Sequence, residues 1–324
     1  MKLKALLCCI TFLVMLTSAC SSNIAYFIES SKSFPYDHIV ETHRIKELGF
    51  QKDSYCSRSS GICISYLYAK PIEAKKLRYS IELEAEGSDS IVELEIHRNS
   101  LDSMHTGTVI LLHGFNMSKE LMIHSALYFR FLGYDVVIPD LLGHGESGGE
   151  KKYGVGDSVA INELLDELIK KKSINDGNIF LLGNSMGGLA AAYVNASRED
   201  ISGLILQAPM LPFDQAANNY IKAGYPLLSR FISTSQIREG ALTALDNANI
   251  SVDKTQIKPI LYNTKIPVLL FSSPADSVAP YRYYKDLAKD NISVIPVPDR
   301  NHPSMAVIGN AEHEMLINWF NDNR

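Results

Sequence analysis

The sequence has little that would favour a nucleic-acid partner or a membrane-spanning segment. It carries 31 Lys and Arg against 36 Asp and Glu, a net charge of −5, and the basic residues form no cluster. A surface that neutralises phosphates needs such a cluster, so no nucleic-acid partner is expected. The apolar run at residues 6–16 is shorter than the roughly 20 residues that cross a bilayer. There is no internal repeat or low-complexity tract, and 46% hydrophobic residues indicate a globular chain with a substantial core.

Cysteine is also scarce, with five in 324 residues. Cys8 and Cys9 lie in the apolar start and Cys20 follows it, which leaves Cys56 and Cys63 in a Ser- and Gly-rich stretch. In an exported protein such a pair predicts a local disulfide. Two cysteines do not complete a zinc tetrahedron and no His follows at zinc-finger spacing, so no metal is expected.

The first residues have the pattern of a secretory signal. A basic start at residues 2–4 precedes the apolar run and the small residues Thr17–Ala19, which predicts a signal peptide over residues 1–19. Cys20 follows directly and resembles the cysteine of a bacterial lipobox, although Thr17 stands where Leu is usual. The resemblance implies that Cys20 is lipidated and anchors the chain to a membrane; the alternative is an ordinary cleaved signal. Ser21, rather than Asp, favours an exported protein on the outer membrane or cell surface.

Strand patterns begin near Leu77, so residues 20–76 are interpreted as an N-terminal extension and tether. Residues 79–84 and 90–97 alternate apolar and polar side chains around a turn at Gly87–Asp89. Period two with one polar face predicts a half-exposed antiparallel pair, placed at a sheet edge.

Further along, the strand-like runs lose this alternation. Continuous apolar runs predict strands buried on both faces of a parallel sheet, and amphipathic segments between them predict helices. The runs are 108–112, 134–138, 203–206 and 268–271, and the helices include 157–171 and 312–320. The fold class is therefore α/β, with a mostly parallel open sheet and helices on both faces. Ligands bind such sheets at the carboxyl ends of the strands.

The sequence Gly183-Asn184-Ser185-Met186-Gly187 joins an apolar strand-like run to an alanine-rich, helix-favouring segment. A serine between two glycines at this junction is the pattern of a nucleophile elbow, in which a strained turn exposes the hydroxyl. A glycine-rich turn after a buried strand is the simpler interpretation of this motif taken alone.

Two further motifs follow the preceding buried strands. His113-Gly114-Phe115 comes after the first, and residues 139–149, which include Gly143-His144-Gly145-Glu146-Ser147, come after the second. Together with the elbow, this order resembles the α/β-hydrolase superfamily, in particular its monoacylglycerol lipase, lysophospholipase and serine-aminopeptidase-like branch. The resemblance covers roughly residues 77–324.

Acyl transfer by a serine needs an oxyanion hole, a base and an orienting carboxylate. The amides of Phe115 and Met186 are predicted to form the oxyanion hole. The superfamily's chain order of Ser, acid and His assigns Ser185, Asp276 and His302 as the catalytic set. Asp276 follows the last buried strand, although Ser273–Ala275 stands where the family usually has a glycine.

Other candidates are less favoured. Asp286 and Asp290 have the pattern of solvated helix positions, His144 that of a structural loop residue, and His313 falls in the terminal helix. The alternation of strands and helices breaks over residues 209–265, where the family places a helical cap. The core is thus predicted in two parts, 77–208 and 266–324, and an apolar cap suits an acyl chain.

We therefore expect a serine hydrolase that cleaves carboxylic esters, such as an acylglycerol or a lysophospholipid, without metal or organic cofactor. A peptidase, thioesterase or peroxidase of the same fold remains an alternative. So does a lipid-binding surface protein without turnover. A fluorophosphonate probe would distinguish this last class, because it labels only an activated serine.

Overall fold

The computed structural model describes residues 21–31, 42–85 and 87–323. The predicted signal peptide at residues 1–19 and the predicted lipidation site at Cys20 lie outside the described residues. Within these ranges, no helix has both the length and the apolar character needed to cross a membrane.

Ten strands are present in the described chain. They are β1 (Gln51–Cys56), β2 (Cys63–Ala69), β3 (Lys76–Ala85), β4 (Ser88–His97), β5 (Thr108–Leu112), β6 (Asp135–Pro139), β7 (Ile179–Asn184), β8 (Ile201–Gln207), β9 (Val268–Ser272) and β10 (Ile292–Pro296). Eight of them form one sheet in the order β1-β2-β6-β5-β7-β8-β9-β10. The pairs from β6 to β10 are parallel, and only β1 and β2 run antiparallel to their neighbours. The continuous apolar runs are buried along their length, as a parallel sheet covered on both faces requires.

Helices flank this sheet. They are α1 (residues 21–30), α2 (Thr42–Glu47), α3 (Ile123–Leu132), α4 (Asp157–Lys170), α5 (Met186–Ala196), α6 (Phe213–Gly224), α7 (Thr234–Asn247), α8 (Ile257–Asn263) and α9 (Asn310–Asp322). Helix α4 buries Ile161, Leu164, Leu165 and Leu168 on one face, the stripe expected from their spacing. The fold class predicted from the sequence, an α/β-hydrolase fold with a mostly parallel sheet, is confirmed.

The predicted tether over residues 20–76 is wrong for residues 51–69. Strands β1 and β2 extend the main sheet through the pairing of β2 with β6, so the core does not begin at Leu77. Strand β1 is hard to recognise because nearly all of its polar side chains are exposed. The sulfurs of Cys56 and Cys63, which face each other across β1 and β2, are bonded.

The β3–β4 pair is antiparallel as predicted, but its placement at an edge of the main sheet is wrong. It forms a separate two-stranded sheet. Its apolar face, with Leu83 and Val92, packs on Val307. The alternating pattern predicted which side chains share a face of the pair. It could not predict that the buried face packs on Val307, which lies more than two hundred residues later in the chain.

Candidate active site

Ser185 occupies the sharp turn between β7 and α5. Strand β7 ends at Asn184 and helix α5 begins at Met186, so Ser185 alone joins them. Its backbone lies at φ 51° and ψ −116°, a region that residues other than glycine rarely adopt. A turn of this kind presents a hydroxyl at its tip, as the elbow motif predicts.

Two glycines allow this turn because the backbone packs closely around it. A Cβ atom on Gly183 would lie 2.3 Å from the carbonyl oxygen of Gly187. A Cβ on Gly187 would lie 2.1 Å from the carbonyl oxygen of Leu112 at the end of β5. Both distances are far inside van der Waals contact, so larger residues at these positions would force strand and helix apart.

His302 contacts both Ser185 and Asp276. Its Nε2 lies 2.9 Å from Ser185 Oγ, and its Nδ1 lies 2.8 Å from Asp276 Oδ2. A carboxylate only accepts hydrogen bonds, so Nδ1 of His302 carries a proton and donates a hydrogen bond to Asp276. Nε2 is therefore unprotonated and accepts a hydrogen bond from the Ser185 hydroxyl. All three residues are buried. The structure therefore brings together the three residues that the sequence predicted as a catalytic set.

The carboxylate of Asp276 is fixed by the backbone of its own loop. Its Oδ1 accepts hydrogen bonds from the amides of Val278 at 2.8 Å and Ala279 at 2.7 Å, which leaves Oδ2 for His302. The family usually has a glycine near this acid, and this chain has Ser273–Ala275 instead. The buried Ser273 hydroxyl accepts a hydrogen bond from the amide of Ala275. The loop thus reaches a suitable geometry without that glycine.

A buried ion pair supports the loop that carries His302. Arg300 Nη2 lies 2.9 Å from both carboxylate oxygens of Glu312, and Nη1 donates to the carbonyl of Ser304 at 3.0 Å. Burial raises the pKa of Glu312, and the neighbouring guanidinium opposes that rise. Sequence reasoning missed this pair. The sequence feature that could have indicated a role for Glu312 is its position three residues after Gly309, because the Glu312 carboxylate accepts a hydrogen bond from the Gly309 amide at the start of α9.

The β3–β4 hairpin holds the same loop from the other side. Asn301 donates from Nδ2 to the carbonyl of Leu83 at 2.7 Å, and its amide donates to Ser90 Oγ at 2.9 Å. The residue before His302 is therefore attached to both strands of the hairpin. The alternation of apolar and polar residues in these strands does not indicate this role.

The two predicted oxyanion donors lie beside Ser185. Met186 is its neighbour in the chain, and a Cβ on Gly114 would lie 3.2 Å from Ser185 Cβ, so the loop before Phe115 passes next to the serine. Among the described residues, neither the Phe115 amide nor the Met186 amide donates to an acceptor of the protein. Both amides are thus available for an anionic oxygen.

The two other candidate histidines, His144 and His313, make their hydrogen bonds elsewhere. His144 Nδ1 lies 2.9 Å from the carbonyl of Leu142, and burial holds its pKa well below the ordinary value. His313 Nδ1 lies 3.1 Å from the Tyr128 hydroxyl in a different part of the fold. Within the described chain, His302 is the imidazole bonded to Ser185.

The loop that contains His144 is organised by a buried charge cluster. Asp140 accepts hydrogen bonds from the Lys119 amide at 2.7 Å and the Glu146 amide at 2.9 Å. The ammonium group of Lys119, which is fully buried, lies 2.6 Å from Asp140 and 2.9 Å from Glu146. This cluster gives the Gly-His-Gly-Glu-Ser motif a structural role next to the Phe115 loop.

A cavity of about 460 Å³ opens onto Ser185 and His302. Most of its lining is apolar. Helix α6 supplies Phe213 and Tyr220, α1 supplies Phe27 and Ile28, and the end of β3 supplies Ala85. Residues 209–265, predicted as a helical cap, contain α6, α7 and α8. A pocket of this size and polarity suits an apolar group attached to a reacting carbonyl.

Comparison with known proteins agrees with this architecture. A Pyrococcus furiosus esterase superposes over 91% of this chain and 97% of its own, with a TM-score of 0.60 at 15% identity. The profile of the serine aminopeptidase family S33 matches residues 103–261. The chain has the α/β-hydrolase fold, and the matched profile supports the α/β-hydrolase superfamily. This α/β-hydrolase also shares the fold of Est1E from Butyrivibrio proteoclasticus, with a TM-score of 0.52 at 17% identity over 82% of this chain and 96% of the other.

Three curated relatives of this α/β-hydrolase bear the names of esterases or lipases. Phospholipase YtpA of Bacillus subtilis is 25% identical over 66% of this chain and 80% of its own length. Caffeoylshikimate esterase of Arabidopsis thaliana is 33% identical over 40% of this chain and 41% of its own. Monoglyceride lipase of Mus musculus is 29% identical over 41% and 43%. This chain thus spans less than half the length of the last two.

Proposed function

We propose that this α/β-hydrolase is a serine hydrolase that cleaves carboxylic esters through an acyl-enzyme. The observation that carries the proposal is the continuous hydrogen-bonded path from Ser185 Oγ through His302 to Asp276. A serine hydroxyl is a weak nucleophile unless an oriented base removes its proton. Here the base is oriented by a carboxylate whose other oxygen is already occupied.

In the first half-reaction, Ser185 Oγ attacks the ester carbonyl carbon as its proton passes to His302 Nε2. The resulting tetrahedral intermediate collapses, the bond to the alkoxy group breaks, and the imidazolium donates its proton to the departing oxygen. Asp276 stabilises the imidazolium while it exists. The products are an alcohol and an ester between the acyl group and Ser185.

In the second half-reaction, His302 takes a proton from water as the water oxygen attacks the acyl-enzyme. Collapse of the second intermediate breaks the bond to Ser185, and the proton returns to Oγ. A carboxylic acid leaves and the serine is regenerated. In both steps the negative oxygen is stabilised by the amides of Phe115 and Met186, which contribute most when the charge develops.

The substrate class follows from the cavity. Its apolar walls favour an acyl chain over a charged group, and we propose an acylglycerol, a lysophospholipid or a similar acyl ester. The names of phospholipase YtpA and monoglyceride lipase support this choice. The serine aminopeptidase profile supports a peptidase as the second candidate, because amide cleavage needs the same set of residues.

The direct test is a fluorophosphonate probe followed by a panel of acyl esters, acyl thioesters and aminoacyl amides. We expect covalent labelling of Ser185 and the highest kcat/KM on the acyl esters. A preference for aminoacyl amides would favour the peptidase. Absence of both labelling and turnover in the folded protein would favour a lipid-binding protein instead.

We further propose that Cys20 carries a lipid anchor on the exported chain. The support is the sequence around it, since Cys20 follows a basic and then an apolar segment and small residues. Described structure begins at the next residue with α1. An anchor at this point would hold the hydrolase at a bacterial outer membrane or at the cell surface.

A further inference from the structure

Helix α1 is packed into the body of the protein. Ile24, Ala25 and Ile28 on one face are buried. A Cβ on Gly240 of α7 would lie 2.6 Å from the Ile24 side chain and 2.9 Å from the carbonyl of Ser21, so the two helices are in close contact. Residues 21–30 are therefore part of the fold beside the cap.

The carboxyl end of α1 is held by a buried lysine. The ammonium group of Lys151 donates to the carbonyl oxygens of Ile28, at 2.9 Å, and Ser31. These carbonyls belong to the end of the helix, where they lack helical partners and carry partial negative charge. Lys151 is only 5% exposed, so these bonds compensate for taking its charge out of water.

The same lysine contacts the loop that carries the proposed oxyanion donor. Its ammonium group lies 2.7 Å from Asn116 Oδ1 and 4.4 Å from the centre of the Phe115 ring. Asn116 has a left-handed backbone, with φ 54°, and donates from Nδ2 to the Ser31 hydroxyl at 2.9 Å. Helix α1 and the Phe115 loop are thus joined through Lys151 and Asn116.

Phe27 and Ile28 face the cavity that opens onto Ser185. The Phe27 ring also packs edge-on against Tyr225, which follows α6 of the cap, with 6.1 Å between ring centroids. Tyr26, the preceding residue, is 70% exposed and is not part of the cavity wall. Adjacent residues of one helix therefore differ in whether they can touch a bound substrate.

We propose that α1 is a wall of the acyl-binding pocket, that Phe27 and Ile28 determine acyl-chain selectivity, and that Lys151 positions this wall. The inference rests on the proposed ester hydrolysis and adds the specificity-determining residues. A long acyl chain would gain apolar contact with Phe27 and Ile28, whereas a short one would end before reaching them. Selectivity for chain length would then depend on a helix that lies outside the core motifs.

The test uses the full chain and a pair of fluorophosphonates, one with a long and one with a short alkyl group. The rate of Ser185 labelling is measured with each, and the ratio of the two rates gives the selectivity. We expect Phe27→Ala and Ile28→Ala to lower the long-to-short ratio about tenfold, the scale on which apolar pockets discriminate chain length. Tyr26→Ala is the matched control, and its ratio should equal that of the wild type.

Lys151→Met should lower the same ratio, because loss of the ammonium releases the end of α1. Hydrogen exchange of residues 21–31 should rise in this variant. A purely structural lysine would lower the stability and slow both probes equally, leaving the ratio unchanged. Thermal unfolding of each variant shows whether it is folded, and the half-exposed Phe27 provides a variant that does not disturb the core.

Different outcomes would overturn ester hydrolysis and the role of α1 as a pocket wall. Wild-type protein that is folded but neither labelled nor active would overturn the proposed hydrolysis, and this inference with it. Wild-type protein that is labelled and active, with the ratio unchanged in Phe27→Ala and Ile28→Ala, would overturn the pocket wall alone. A ratio that falls equally in Tyr26→Ala would also overturn it.

Discussion

Ser185 Oγ lies 2.9 Å from Nε2 of His302, a residue 117 positions later in the chain. The imidazole is held between this hydroxyl and the buried carboxylate of Asp276. Each of the three residues follows a different strand of the parallel sheet, which is why they meet at the sheet's carboxyl edge. The geometry makes separate demands on each residue that can be tested one at a time.

Replacing Ser185 with Ala should abolish ester hydrolysis in a folded protein. The variant lacks the attacking oxygen, and the loss should be on the order of 10⁴–10⁶ in kcat. The measurement is turnover of a short-chain ester, with circular dichroism to verify folding. Ser197→Ala, at the exposed end of the same helix, is the matched control and should retain wild-type activity. A Ser185→Ala variant within about tenfold of wild type would exclude this serine as the nucleophile.

Asp276→Asn should keep the fold and lose about 10⁴-fold in kcat. An amide in place of the carboxylate can present its NH₂ group to His302, so that Nδ1 accepts and Nε2 carries the proton in the wrong position for Ser185. The control is Asp286→Asn, an exposed carboxylate a few residues later. Equal activity of the two variants would remove Asp276 from the catalytic set.

His302→Ala should be as damaging as Ser185→Ala, and the double variant scarcely worse, because the members of the set act as a unit. His313→Ala and His144→Ala should lose far less, since their ring nitrogens bond to Tyr128 and Leu142. We would measure kcat/KM for all five variants at several pH values. A folded His144→Ala or His313→Ala variant without activity, beside an active His302→Ala, would require a different base.

Glu146 should make stability depend on pH in acid. Hydrogen bonds from Lys119 and Lys52 hold its pKa at about 2, below the usual 4.5. Because the folded state lowers this pKa, the stabilisation is fully present above about 4.5 and is lost as the pH falls through about 2. Urea unfolding should show Glu146→Gln less stable than wild type near neutral pH, with the gap closing in acid.

The exposed Glu150→Gln provides the control for this measurement, since its carboxylate lies 3.8 Å from Lys152 at the surface. Its difference from wild type should be small at every pH, as for most surface ion pairs. A gap for Glu146→Gln that widens in acid would contradict the assigned direction of the pKa shift.

Cys20→Ser should move the protein from the membrane fraction to the soluble fraction, or block its processing. Lipidation needs the Cys20 thiol. The substitution replaces this thiol with a hydroxyl and leaves the neighbouring sequence unchanged. Mass spectrometry of the mature amino terminus and cell fractionation are the measurements. Wild-type protein that is soluble, with an unmodified amino terminus, would rule out the anchor.

The sequence predicted the parts of the fold whose burial is uniform. Residues 108–112 and 268–271 are continuously apolar because parallel strands are covered on both faces, and the motifs at their ends follow from that topology. Strand β1 could not be recognised in this way. An edge strand is paired on one side only, and its side chains, such as Lys52 and Asp53, are selected for exposure.

The contacts that support the site could not be predicted from the sequence for a different reason. Lys151 with Ile28 and Ser31, and Asn301 with Leu83, are partners from distant segments that only the complete fold brings together. A charged residue in a sequence indicates a solvated position unless its partner is known. Motif order and the family resemblance predicted Ser185, Asp276 and His302, whereas the positioning of these residues depends on tertiary contacts.

The pocket takes its walls from both ends of the described chain, from Phe27 to His302. Contacts between residues so distant in sequence form slowly. The intervening chain must lose conformational entropy before the contacts form and contribute favourable free energy. The local helices can therefore form well before the pocket is closed. Catalytic turnover would then be a more sensitive indicator of completed folding than helix content. A nascent chain would have no active site until the loop around His302 had been synthesised.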